Sequence, residues 1–177
     1  MKRILMFLSL SAWLQGASYD PFLLETQLSL LPKVAMLEKN LGQIQNKLPI
    51  KILIAYDIND ETTAENCMRI LASKFNGRIN GRLLVVSALP FEKIDSSFAY
   101  QMIYALKANT QQLKKVHNAG LSGTVTALYD ADRMEENGIL LSVQMERTPI
   151  IMINAKILRE NRFSFPDSLL EIARIIQ

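Results

Sequence analysis

Residues 50–56 read IKILIAY, from Ile50 to Tyr56, a seven-residue apolar and β-branched run with Pro49 before it and Asp57 after it. The run is too short for an independent helix and apolar at both odd and even positions, which predicts a strand buried on both faces. Such a strand needs helices above and below its sheet, and the flanking sequence supplies them. Downstream, Asn59 or Asp60 is placed to cap a helix that runs to about Phe75, with Ala64, Met68, Leu71 and Phe75 on one face and Gly77 at its end. Asn80 and Gly81 form a turn into a second strand at 83–88, a third strand follows at 99–106, Asn109 caps a helix to His117, and 124–129 is a fourth strand. This alternation predicts an α/β fold with a mainly parallel sheet and helices on both faces.

The C-terminal part changes character. Residues 139–145 and 149–153 are strand-like and separated only by Glu146, Arg147 and Thr148, a spacing that predicts an antiparallel hairpin at the edge of the sheet. Asn154 is placed to cap a short helix, and a closing helix is expected over 166–176. Upstream, residues 20–41 carry Leu24, Leu28, Leu31 and Ala35 at helical spacing, with Asp20 as cap and Pro21 at the first helical position. Pro32 removes a hydrogen bond inside that helix, at up to ~3 kcal/mol, and predicts a kink or a break.

Lys2 and Arg3, the apolar run at 4–13, and the small residues Gly16 and Ser18 together read as a secretory signal, cut before Tyr19. The run is about half of the roughly 20 apolar residues that span a bilayer. The expected organisation is a leader at 1–18 and a single domain at 19–177, long enough for one hydrophobic core. The net charge of +3 includes Lys2 and Arg3, so little basicity is left after export and nothing favours nucleic acid as a partner. Cys67 is the single cysteine, which leaves packing rather than an internal disulfide to hold the fold.

The reactive side chains are sparse. His117 is the single histidine and lies beside Lys114 and Lys115, the pattern of a solvated helix face. Cys67 borders an apolar helical face and reads as a buried structural thiol. Asp130, Asp132, Glu135 and Glu136 form an acidic stretch without the glycine and ligand spacing of a calcium loop. The Asn76-Gly77-Arg78 and Asn80-Gly81-Arg82 triplets read as turns rather than phosphate cradles, since neither follows a strand and opens a helix. Open α/β sheets place ligands at the carboxyl ends of their strands, which makes Tyr56, Asp57, Asn59 and Asp130 the candidate ligand-binding residues. As helix caps these polar residues are already explained, which makes the structural role the leading reading and binding the second. No catalytic residue, metal site or cofactor is assigned.

Several short motifs carry a family resemblance. In order they are IKILIAYD at 50–57, INGRLLVV at 79–86, AYQMIYAL at 99–106, QQLKKVHNAG at 111–120, TALYDADRMEENGILLSV at 126–143, IIMINAKILREN at 150–161 and FPDSLLEIARII at 165–176. Together they span nearly the whole exported part, and the chain resembles the YfiR-like family of periplasmic regulators. The likeness implies an α/β fold without catalytic activity, a periplasmic location, and structural roles for Asn80, Gly81, Arg82, Gly138 and Asn154. It also implies a membrane-bound signalling partner, either a diguanylate cyclase of the YfiN type or a sensor kinase, and admits a homodimer. Family members can be tuned by disulfides; Cys67 alone offers at most an intermolecular bridge. The first helix and the hairpin edge near 145–149 are the candidate contact surface, because apolar helix faces and sheet edges accept partners, and a plain role as core and edge is at least an equal reading. A periplasmic carrier of small molecules is the alternative expectation.

Overall fold

The computed structural model describes residues 17–43, 48–95, 99–121 and 123–177, so the expected leader lies outside the described residues apart from Ala17 and Ser18. The strands are β1 (Ile50–Tyr56), β2 (Arg78–Ile79), β3 (Arg82–Pro90), β4 (Met102–Ala105), β5 (Val125–Leu128), β6 (Leu141–Met145), β7 (Pro149–Asn154) and β8 (Arg174–Ile176). The helices are α1 (Pro21–Ala35), α2 (Lys39–Gln43), α3 (Glu61–Phe75), α4 (Thr110–Gly120), α5 (Ala155–Glu160) and α6 (Asp167–Ile172). No helix among the described residues is long and apolar enough to cross a membrane.

The sheet runs β2-β3-β1-β4-β5-β6-β7-β8, with β1 central and all of its side chains except Lys51 buried. β3, β1, β4, β5 and β6 are mutually parallel, and β7 returns antiparallel to β6. The chain moves from β1 outward to β3 through α3, crosses back to β4 on the other side of β1, and continues outward to β5 through α4. Right-handed crossovers leaving in opposite directions require their helices on opposite faces. The core obeys this rule. Ala64, Cys67 and Leu71 of α3 pack with Ile50, Ile52, Ile54 and Tyr56, while Leu113, Val116 and Ala119 of α4 pack with Leu53 and Ala55.

Asp20 caps α1, accepting from the amides of Phe22 and Leu23, and Leu24, Leu28 and Leu31 join the α3 layer. Pro32 lies inside α1, which continues to Ala35; the expected break into two helices comes after it, between Ala35 and Lys39. The carboxylate of Glu38, itself buried, then accepts from the Leu41 amide at 2.9 Å and from the Ser164 amide at 3.1 Å, which starts α2 and ties it to the C-terminal segment. The apolar face of α1 therefore belongs to the core, the plainer of the two readings its sequence allows. Its hydrophobic residues left outside are few, Phe22 foremost.

The closing helix also differs from expectation. α6 stops at Ile172, Ala173 turns extended (φ −83°, ψ 149°), and Arg174–Ile176 pairs in parallel with Met152, Ile153 and Asn154 of β7. Burying the backbone groups of an otherwise open edge outweighs one more helical turn on an exposed surface. The hairpin is thus one strand in from the edge; Glu146, Arg147 and Thr148 at its loop are exposed. Arg174 reinforces β8 through Glu146 at 2.8 Å.

The family-motif residues have structural places. Asn80 and Gly81 both have positive φ (50° and 80°), as a tight two-residue turn between β2 and β3 requires. Arg82 is buried and donates from Nε to Leu48 O at 2.9 Å and from Nη1 to Leu41 O at 3.3 Å. Asn154 caps α5 through the amides of Lys156 and Ile157. Gly138 has φ +64°, and a Cβ there would stand 2.6 Å from Nδ1 of His117. His117 is half-buried and its Nδ1 donates to Gly138 O at 2.8 Å, which corrects the expectation of a freely solvated histidine. Gly138→Ala is expected to destabilise the fold by about 1–3 kcal/mol through strain and overlap; an unchanged urea midpoint would refute that account.

Candidate functional site

Two crossovers leaving β1 and β4 in opposite directions cannot fill the space between their carboxyl ends, and a cleft of about 670 Å³ opens there. Asp57 and Asn59 follow β1, Lys107 follows β4 and Asp130 follows β5, and all four line it. Three of the four candidate ligand residues are therefore brought together. Tyr56 is the exception: strand alternation turns its side chain into the α3 layer, 6% exposed, and it does not line the cleft.

Asp57 is held by neutral donors. Its Oδ1 accepts from the amide of Asn59 at 3.1 Å and from Asn59 Nδ2 at 2.9 Å, and its Oδ2 accepts from Gln112 Nε2 at 2.8 Å. These bonds, Gln112 foremost, hold its carboxyl below the usual range. Gln112 is fixed in turn by a capping box with Asn109 at the start of α4, so the end of β1 and the start of α4 are bridged.

Asp60 has a different task from the helix cap expected of it. It makes no side-chain cap bond to α3; its buried carboxylate accepts from the Ala17 amide at 2.9 Å and from the Tyr19 hydroxyl at 2.6 Å. Tyr19 Oη also accepts from the Lys107 amide at 3.0 Å, and the Asp20 amide donates to Tyr129 Oη at 2.8 Å. Burial first, and the Asp60 bond second, push the Tyr19 phenol far above its ordinary value. Lys107 Nζ donates to Ser18 O at 2.6 Å and lies 5.5 Å from the ring centroids of both Tyr19 and Tyr129, which pack edge to face. The segment at 17–20 is thereby laid along the rim, with Ala17 lining the cleft.

Asp130 completes the site. Burial raises its carboxyl, while Lys107 and Arg133 lower it. Arg133 is spent elsewhere: Nη1 donates to Ala108 O, Nη2 to Thr110 Oγ1 at 3.2 Å and Nε to Glu136 at 3.4 Å. The cleft offers recognition by oxygen acceptors. Among the described residues that line it there is no thiol, no imidazole and no hydroxyl paired with a base. Among the described residues no three side chains of the metal-ligating types gather, and Asp132, Glu135 and Glu136 are exposed.

Cys67 is fully buried in the α3 layer, and burial pushes its thiol up to about 12. The folded protein is expected to resist labelling by a thiol reagent at neutral pH and to react only on unfolding; rapid native labelling would contradict the buried position. This burial also obstructs the intermolecular bridge that a lone cysteine otherwise permits.

Lys107, Gln112 and Arg133 were not singled out from the sequence. Lys107 was within reach of the strand-end rule, being the first charged residue after the third apolar run. Gln112 and Arg133 had no such signal, because their place depends on how α4 and the loop after β5 pack.

The fold and cleft define a class, the open α/β domains that present a binding crevice at a topological switch point. Within it, the chain is similar to the ABC domain from Streptococcus pneumonia solved in complex with L-Trp, at 17% identity and a TM-score of 0.54 over 87% of this chain and 62% of that one. It is also similar to a conserved domain protein from Vibrio cholerae O1 biovar eltor, at 15% identity and a TM-score of 0.52 over 80% of this chain and 60% of that one. The chain thus spans about three fifths of each of these proteins, and the likeness is one of fold. No family model and no curated protein matches the chain.

Proposed function

We propose that the protein is an exported sensor: it takes a small polar ligand into the cleft between β1, β4 and β5, and its occupancy modulates a membrane-bound signalling partner. The observation that carries this reading is the convergence of Asp57, Asn59, Lys107 and Asp130 on one cavity at the switch point. Recognition without chemistry is its working mode, since among the described residues the cleft pairs no nucleophile with a base. The ligand acts by binding two states of the protein unequally, and a coupling of about 1–3 kcal/mol makes a useful switch. The likeness of the motifs at 79–86 and 126–143 to YfiR-like regulators supports a diguanylate cyclase or sensor kinase as the partner and the periplasm as the location.

A thermal-shift panel of small metabolites tests the ligand half of the reading. Saturating ligand at about 100 times its Kd is expected to add about 2.7 kcal/mol of stability. Co-purification from membranes, with cyclic dinucleotide levels measured in a deletion strain, tests the partner half. No captured membrane protein and unchanged levels would remove it.

A carrier is the second reading, favoured by the likeness of fold to a domain holding L-Trp. A carrier binds its ligand and leaves cyclic dinucleotide levels unmoved; a regulator changes them.

A further inference from the structure

The rim of the cleft already seats a short peptide, and from the way it is held we infer that the ligand is a dipeptide with free termini, which takes the place of residues 17 and 18 once the leader is removed. The inference rests on the readings of a leader cut before Tyr19 and of the cleft as a ligand site, and adds the chemical class. Two bonds hold the segment from its two ends. The Ala17 amide donates to Asp60 Oδ1 at 2.9 Å, and Lys107 Nζ donates to Ser18 O at 2.6 Å. Ala17, Asp60 and Lys107 all line the cleft. Asp60 is a buried anchor, 4% exposed. Its Oδ2 accepts from the Tyr19 hydroxyl at 2.6 Å, and among the described residues Ala17 is the only donor to its Oδ1.

Hydrolysis of the Ser18–Tyr19 bond consumes one water and leaves a carboxylate on Ser18 and an ammonium on Tyr19. Departure of the leader then withdraws a donor from a buried carboxylate and an oxygen acceptor from a lysine of the same cavity. A buried charge that has lost a hydrogen bond is unfavourable, and a ligand that restores the bond recovers that energy. The requirement has a definite geometry. Ala17 N and Ser18 O are separated by two Cα atoms and one peptide unit, so a dipeptide places its ammonium at Asp60 and its carboxylate at Lys107. A single amino acid has one Cα between its termini and reaches one anchor only. Charge favours the free dipeptide over the segment it replaces, because its ammonium meets a carboxylate and its carboxylate meets both Lys107 and the new Tyr19 terminus. Asp130 competes for Lys107: the lysine lowers its carboxyl, yet among the described residues the two form no ion pair. Ala17 also lines a hollow of about 330 Å³ between α1 and α3, beside Leu24, Thr62 and Arg69, which gives room for a first side chain larger than a methyl group.

The test is calorimetric titration of the exported protein, its N-terminus first fixed by intact mass, with Ala-Ser, the C-terminal amide of Ala-Ser, its N-acetyl form, free alanine and free serine. A mass that begins at Tyr19 is expected, with Ala-Ser bound roughly 10-fold or more tightly than every other probe. The full chain made without export keeps residues 17 and 18 in their seat and is expected to bind Ala-Ser roughly 10-fold or more weakly than the exported protein. Lys107→Gln is expected to bring the acid and the amide to within about 2-fold of each other while the N-acetyl form stays weak. Asp60→Asn keeps an oxygen for the Tyr19 hydroxyl and is expected to do the reverse, which provides a second variant should the first disturb the rim. An exported mass that retains Ala17 and Ser18, equal binding by cut and uncut chains, or a preference for the acid that survives Lys107→Gln overturns the dipeptide inference. Binding of a metabolite from the thermal-shift panel without binding of Ala-Ser also overturns it, while the ligand site stands. Silence from both sets of probes overturns both.

Discussion

Gln27→Ala is expected to destabilise the protein by about 3–5 kcal/mol, the largest single-residue loss in the fold. Gln27 lies on the buried face of α1, fully inaccessible, where its Nε2 donates to Tyr129 O at 2.9 Å and to Val143 O at 2.8 Å. Its Oε1 accepts from the Tyr104 hydroxyl at 2.5 Å. One side chain therefore satisfies polar groups on β4, just past β5 and on β6, at the point where β5 and β6 share only the Ala127–Leu141 pair. Removing it leaves three buried polar groups without a partner, each at about 1–3 kcal/mol, and a cavity beside them. Partial relaxation around the hole brings the sum down to the stated range. Urea unfolding of both proteins provides the measurement. A loss below about 1 kcal/mol would mean that water or a moved Tyr104 replaces the amide, and that α1 is docked by its leucines alone.

The second large effect is expected at Asp60. Asp60→Ala removes the acceptor for the Tyr19 hydroxyl and, in the uncut chain, for the Ala17 amide, and a loss of about 1–3 kcal/mol follows from the half-buried hydroxyl left unpaired. In the uncut chain the segment at 17–20 should become accessible to protease, since its remaining ties are the bonds of Ser18, Tyr19 and Asp20 to Lys107 and Tyr129. Survival of that segment under digestion would show that those ties suffice.

The same change has a pH signature. In the native protein the phenols of Tyr19, Tyr104 and Tyr129 are all raised, chiefly by burial. The unfolded chain releases these protons near pH 10 while the folded chain retains them, so stability is fully present below about pH 10 and is lost as pH rises beyond it. Asp60→Ala is expected to let Tyr19 ionise at lower pH than in the parent, because a carboxylate acceptor is gone. Burial still keeps it above the ordinary tyrosine value. Absorbance of tyrosinate through an alkaline titration reads both outcomes, and coincident curves for the two proteins would defeat the assignment.

Much of the fold was legible along the chain because its signals are local. Ile50–Tyr56 announces itself by length and β-branching, Asn80-Gly81 by turn chemistry, and Asn109 and Asn154 by their capping positions. The failures share a different cause. Residues 173–176 were read as helix because Ile175 and Ile176 continue an apolar pattern, and the free edge of β7 that recruits them exists only after the sheet has formed. The apolar face of α1 is legible as core or as partner surface, because amphipathicity does not say what covers it. For the site, the strand-end rule found Asp57, Asn59 and Asp130 and added Tyr56, whose side-chain direction depends on the register of β1 against β3 and β4.

By itself, the sequence determined the α/β alternation, the parallel core, the C-terminal hairpin and the scarcity of reactive groups, since each depends on neighbours within a few residues. Tertiary structure alone decided which charges face one another: Asp60 spent on residues 41 and 43 positions earlier, Lys107 drawn to Ser18 and close enough to Asp130 to lower its carboxyl, and Asp57 held by the neutral donors of Asn59 and Gln112. The physical reason is that electrostatic partners are chosen by distance in space, and the switch of direction at β1 brings together chain segments that local pattern cannot connect.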